Sequence, residues 1–146
     1  LCGDRWSYDP RCFYDPPSRS LFHLPTGAIM PDFSIIIPCY NAVDTLQATL
    51  SSIQAQTCRD WEVICVDDGS TDATLDMLHA ASAQDPRIQV YQNAGKGPSS
   101  ARDLGGMFFA NCEIIAFCDA DDIWGPDKLS QLATCFSDPK VDAAFG

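Results

Sequence analysis

Short apolar runs alternating with helically spaced stretches constrain this chain more than any other feature. Phe33-Ser34-Ile35-Ile36-Ile37 is β-branched with no regular polar alternation, the mark of a strand buried on both faces. Trp61-Glu62-Val63-Ile64-Cys65-Val66 reads as a second strand and Ile88-Gln89-Val90-Tyr91 as a third. Ile114-Ile115-Ala116-Phe117-Cys118 reads as a fourth, also buried, and a fifth is expected to start at Val141. Between them, Val43, Leu46, Leu50 and Ile53 fall at helical spacing, with Asn41 or Asp44 available as N-cap. Ser70-Thr71-Asp72 opens a second helix that carries Leu75, Leu78 and Ala81 on one face. Pro98 suits the first position of a third helix running to about Ala110, and Gly125-Pro126-Asp127 begins a fourth. Strands and helices in this rhythm form βαβ units with right-handed crossovers. The expected fold class is therefore α/β, a mostly parallel Rossmann-like sheet flanked by helices.

The rhythm starts near Met30. Residues 1–29 hold four prolines and five aromatics without a helical or strand period, and are expected to form an irregular N-terminal appendage. Residues 30–146 are expected to form the domain. The chain opens on Leu1 and stops at Gly146, just inside an apolar run, so it reads as part of a longer protein, truncated on the C-terminal side.

Charge narrows the classes of partner. Twenty acidic residues against nine Lys and Arg leave a net charge of −11. That field repels phosphate backbones and anionic lipid surfaces, which argues against nucleic-acid binding. No apolar run approaches the roughly 20 residues that cross a bilayer, and the first thirty residues lack a continuous apolar signal-peptide core. Eight cysteines include no C-x-x-C pair, and the two histidines are isolated, which speaks against a zinc site. Free cysteines in apolar runs act as small hydrophobes. A reducing compartment follows, with the cytoplasm, extending to the inner membrane face, as the default.

In a parallel sheet the ends of all strands share one edge, and ligands bind in the crevice there. The first strand leads into Pro38-Cys39-Tyr40-Asn41, the second into Asp67-Asp68-Gly69-Ser70, the third into Asn93-Ala94-Gly95-Lys96-Gly97-Pro98 and the fourth into Asp119-Ala120-Asp121-Asp122. Five carboxylates are thus expected on one edge, where they repel unless a cation or hydrogen-bond donors lie among them. Asp oxygens are hard ligands suited to Mg2+ or Mn2+, although a helix cap before Pro126 would use the same residues. An EF-hand is excluded because Ile123 and Trp124 occupy its fifth and sixth loop places. The glycine loop carries Ser100 where a dinucleotide fingerprint has its third Gly, and no P-loop is present. Lys96 and Arg102, before and inside the third helix, would balance a diphosphate; an ordinary ion pair with one of the acids is the other reading of Arg102. A Mg2+-dependent phosphohydrolase with Asp119 as nucleophile is an alternative from another class.

Five motifs in order then carry a resemblance. They are Ser34 to Asn41; the Leu46/Leu50/Ser52-Ile53/Gln56-Thr57 spacing; Val66 to Asp72; the Gly97 to Gly105 stretch with Ala101-Arg102; and Phe117 to Asp122 followed by Pro126. Together they resemble the family 2 glycosyltransferases of the GT-A fold. The resemblance implies an inverting, metal-assisted transferase moving a sugar from a nucleotide-diphosphate donor, commonly a UDP-sugar, to a saccharide, lipid or protein acceptor. It implies Pro38, Tyr40 and Asp68 in the base and ribose pocket, and Arg102 near the base or diphosphate. Asp119 would face the donor, and Asp121 would be the direct ligand of Mn2+ or Mg2+, with Asp119 beside it. The family's catalytic base lies in the later, acceptor-binding half, so no base is assigned and these residues alone would form a nucleotide-binding part without catalysis. Asp103 stands where the family commonly has Asn.

Overall fold

A computed structural model of the chain describes residues 33–93, 97–112, 114–138 and 140–144. Four strands, β1 (Phe33–Cys39), β2 (Trp61–Asp67), β3 (Ile88–Gln92) and β4 (Ile114–Phe117), pair in parallel in the order β3-β2-β1-β4. Helices α1 (Leu46–Gln54), α2 (Thr74–Gln84), α3 (Pro98–Leu104) and α4 (Lys128–Phe136) alternate with them, and α3 continues as a π-helical turn over Gly105–Phe109. The α/β expectation holds.

The strand order explains which helix covers which face. From β1 to β3 the chain steps outward in one direction, so two right-handed crossovers place α1 and α2 on the same face. The step to β4 runs back past β1, and handedness then sends α3 to the opposite face. Side chains follow the period of two. Ile35, Ile37, Val63 and Cys65 pack with Leu46, Leu50 and Ile53 of α1, Leu78 of α2 and Leu129 of α4. Ile36, Ile64 and Val66 meet Ala101 on the α3 face. Fully burying an Ile or Leu of this kind stabilises by about 1.5–3 kcal/mol. Helix α3 lies close to β1 because residue 105 has no side chain: a Cβ on Gly105 would stand 2.6 Å from Ile36 Cγ2.

Several expectations need correction. β4 is an edge strand and not a buried one: Ile115 is 39% and Phe117 56% exposed, on the same sheet face as Ser34 and Ile36, with which they pair. Val141–Ala144 form no strand. Neither Asn41 nor Asp44 caps α1; the N-cap position is Thr45, and no side chain closes it. α2 starts at Thr74, and its inward stripe is Thr74, Met77, Leu78 and Ala81, with Leu75 outside the core. The expected N-terminal appendage and Lys96 lie outside the described residues. No helix among the described residues is long and apolar enough to cross a membrane.

Candidate nucleotide-binding site

The strand order reverses between β1 and β4, with α1 leaving β1 on one face and α3 leading into β4 from the other, which makes the gap beyond their ends the topological switch point. A cleft of about 570 Å3 opens there. Pro38 and Tyr40 enter it from the end of β1, Asp68 from β2, Arg102 from α3, and Asp119 and Asp121 from the loop after β4. All six residues singled out in the sequence therefore line one cavity. The five carboxylates do not converge equally, because Asp67 and Asp122 are not part of that lining.

Asp67 is buried and turned into its own loop, where it accepts from the backbone N–H groups of Gly69 and Ser70 at 3.2 Å. Asp68 ties the loop to the other strand ends. One carboxylate oxygen accepts from Asn93 Nδ2 and the other from Gly97 N–H, both at 2.7 Å. Its own N–H donates to Cys39 O at 2.8 Å. Gly97 takes φ 94° at this point, a backbone region that L side chains avoid. The loop after β1 is laced to the loop after β2: Asn41 N–H donates to Ser70 Oγ at 3.0 Å, and Thr71 N–H to Asn41 Oδ1 at 2.8 Å. Asn41 has φ 47°, which Asn tolerates through such local bonds. Tyr40, beside it, is 60% exposed within the cleft.

The acidic loop is different. Asp119, Asp121 and Asp122 are exposed, whereas Ala120 between them is buried. Arg102 donates from Nη2 to Asp119 Oδ1, so the ion-pair reading of Arg102 describes the protein, with the arginine also at the cleft wall. The local field is negative: burial first, then the charges of Asp122 and Asp119, push the Cys118 thiol up to about 12. Cys65 is also raised, by its hydrogen bond with Cys39 and by burial. These thiols stay protonated, as small core hydrophobes do.

Among the described residues, no three His, Cys, Asp or Glu side chains are grouped so as to hold a metal ion. Asp119 and Asp121 nevertheless form a fitting donor set for a hard cation, because Mg2+ usually takes one or two carboxylates and completes its sphere with substrate phosphates and water. Sequence reasoning missed Ala42 and Thr45 in the cleft lining, and put Asn41 and Pro98 at this edge without singling them out. Thr45 carried a signal, since it stands four residues before Thr49 on one face of α1.

Comparison with known proteins follows the same outline. The family model for glycosyl transferase family 2 matches residues 34–146. A UDP-Glc:α-D-GlcNAc-diphosphoundecaprenol β-1,3-glucosyltransferase of Escherichia coli, WfgD, is 35% identical over 114 residues, covering 77% of this chain and 44% of the relative. An uncharacterised glycosyltransferase of Nostoc sp. is 38% identical over 109 residues, 74% of this chain and 34% of the relative. The chain thus spans less than half the length of these curated relatives. The crystal structure of residues 1–349 of TarS from S. aureus in complex with UDP superposes with a TM-score of 0.63 and 28% identity over 73% of this chain and 32% of that one. The mannosyltransferase PcManGT from Pyrobaculum calidifontis, in complex with GDP-Man and Mn2+, gives 0.70 and 26% over 78% and 34%. Both structures share the GT-A arrangement seen here. The chain belongs to glycosyl transferase family 2.

Proposed function

We propose that residues 30–146 are the donor-binding part of a glycosyltransferase that takes a sugar from a nucleotide-diphosphate donor, a UDP-sugar in the first instance, with inversion. One observation carries this reading: a single cleft at the switch point gathers Pro38, Tyr40, Asp68, Arg102, Asp119 and Asp121. Pro38 and the exposed Tyr40 ring offer an apolar wall for a base, and Asp68 accepts from it. A carboxylate oxygen accepts more than one hydrogen bond, so Asp68 serves the ligand while holding Asn93 and Gly97. Arg102 offers charge-assisted hydrogen bonds to phosphate oxygens. Asp121, with Asp119, would hold Mn2+ or Mg2+, which as a Lewis acid stabilises the charge that grows on a departing diphosphate.

In an inverting transfer, the acceptor oxygen bonds to the anomeric carbon as the bond to the diphosphate oxygen breaks. The acceptor proton passes to a positioned carboxylate, a step worth about 10²–10⁴-fold in rate. None of the cleft carboxylates is assigned that task, which the resemblance gives to the acceptor-binding part. The site relatives WfgD, TarS and PcManGT are named with UDP-Glc, UDP and GDP-Man, which supports a nucleotide-sugar donor here.

Calorimetric titration of UDP into the chain, with Mn2+ and then with EDTA, tests the reading. Metal-dependent binding that is lost in Asp121→Ala is expected. A folded protein that ignores UDP, GDP, CDP and dTDP alike would overturn it.

A further inference from the structure

The polar side of α1 grips the acidic loop along its whole length. Thr45 at its N-cap, Thr49 and Ser52 within it and Gln56 just past its C-cap follow at intervals of four, three and four residues, one stripe that continues the helix surface. Thr45 Oγ1 and Thr49 Oγ1 both donate to Ala120 O at 2.9 Å. Ser52 Oγ accepts from Trp124 N–H at 3.1 Å. Gln56 Nε2 donates to Gly125 O at 2.6 Å, and Gln56 Oε1 accepts from Leu129 N–H at 3.0 Å. Thr57 N–H, just past the helix, donates to Pro126 O at 2.8 Å. Thr49 and Gln56 are fully buried, so their bonds form in low dielectric where leaving one unmade is costly.

The placement of the two threonines matters most. Ala120 is the residue between Asp119 and Asp121, and it is the buried one of the three. Two hydroxyls converging on its carbonyl fix the Ala120–Asp121 peptide, in the middle of the backbone that carries the two exposed carboxylates. A loop of like charges held at its centre cannot relax by swinging its backbone outward, so the carboxylates stay at the cleft and meet a cation already in place.

We propose that Thr49, seconded by Thr45, Ser52 and Gln56, is a positioning residue for the acidic loop, presenting Asp119 and Asp121 to the diphosphate and its ion. This rests on the donor-site reading above. It assigns to α1 a part in metal-dependent binding, beyond its part in the core.

The test compares Thr49→Val, which keeps the shape and removes the hydroxyl, with Thr49→Ser, which restores it. Two readouts are taken on the full chain: amide hydrogen exchange at Asp122 and Trp124, and calorimetric affinity for UDP with Mn2+ and without it. Thr49→Val is expected to speed exchange at both amides about 10-fold, the mark of a local opening. It is expected to weaken Mn2+-dependent UDP binding about 10-fold, while metal-free UDP binding stays within about two-fold. Thr49→Ser is expected to restore both. Wild-type exchange and wild-type affinity in a folded Thr49→Val protein would overturn the proposal. Equal losses with and without Mn2+ would overturn it too, since they mark a merely structural role. Should Thr49→Val not fold, Ser52→Ala carries the same test through the Trp124 amide. A wild-type chain that binds no UDP defeats the donor-site reading, and with it the presentation to a diphosphate; the Asp122 amide then decides whether the stripe holds the loop at all.

Discussion

The two sides of the cleft are built on different principles. On the β2 side, Asp68 has both oxygens engaged by groups 25 and 29 residues away in sequence, and the loops after β1 and β2 are stitched together through Asn41, Ser70 and Thr71. On the β4 side, Asp119 and Asp121 are exposed, and the half-buried Arg102 pairs with Asp119. Under the proposed function, the difference would separate recognition from charge handling. A rigid, satisfied wall suits a flat base, which needs shape and a few fixed acceptors. Exposed carboxylates on a pinned backbone suit an ion and a diphosphate that arrive together and bring their own counter-charge.

Breaking the rigid side should cost most. Gly105→Ala drives a Cβ to 2.6 Å from Ile36 Cγ2, so α3 must lift from β1; a loss of about 1–3 kcal/mol in urea denaturation is expected. Asp68→Ala removes the acceptor of Gly97 N–H and loosens the start of α3; about 1–2 kcal/mol of stability should go, together with UDP affinity. Asp121→Ala, by contrast, should leave the urea midpoint nearly unchanged, within about 0.5 kcal/mol, as expected for an exposed side chain. Equal stability losses at positions 68 and 121 would erase the distinction.

Arg102→Gln sharpens the comparison from the charged side. The pair with Asp119 is partly exposed, so less than about 1 kcal/mol of stability should be lost, while affinity for UDP falls and becomes less sensitive to salt. Smallest is a control remote from the cleft. Arg87 holds the Asp85 carboxyl down to about 2 from its ordinary 3.8. A group whose folded value is depressed stabilises above its unfolded value and loses that contribution as pH falls through the folded one. The stability gap between wild type and Asp85→Asn, within about 0.5 kcal/mol as for most ion pairs at a protein surface, should therefore shrink from about pH 4 to about pH 2.

What could be read from the chain follows from what each feature depends on. β1 and β2 were legible because a strand buried on both faces must be apolar at nearly every position, and Ile35, Ile36 and Ile37 say so locally. β4 was not, because Ile115 and Phe117 have the same composition as a buried strand while their exposure depends on what lies beyond the sheet edge. Asn41 looked like a cap for α1 because Asn commonly serves there; its partner is instead Thr71, 30 residues on, which no local pattern announces. The acidic strand ends pointed to the edge where the cleft opens, yet not all of them line it, since Asp67 satisfies itself within its own turn. The clamp on α1 lay in plain view as a polar stripe, but a stripe on a helix is ordinarily its solvent face, and only the loop packed against it gives it a partner.

The division of the cleft is tested most directly by titrating uridine and UDP into the same protein, each with and without Mn2+. Uridine is expected to bind equally in both conditions, whereas UDP gains at least about 10-fold from Mn2+, a gain that disappears in Asp121→Ala and survives in Asp85→Asn. UDP affinity indifferent both to Mn2+ and to Asp121 would contradict that division.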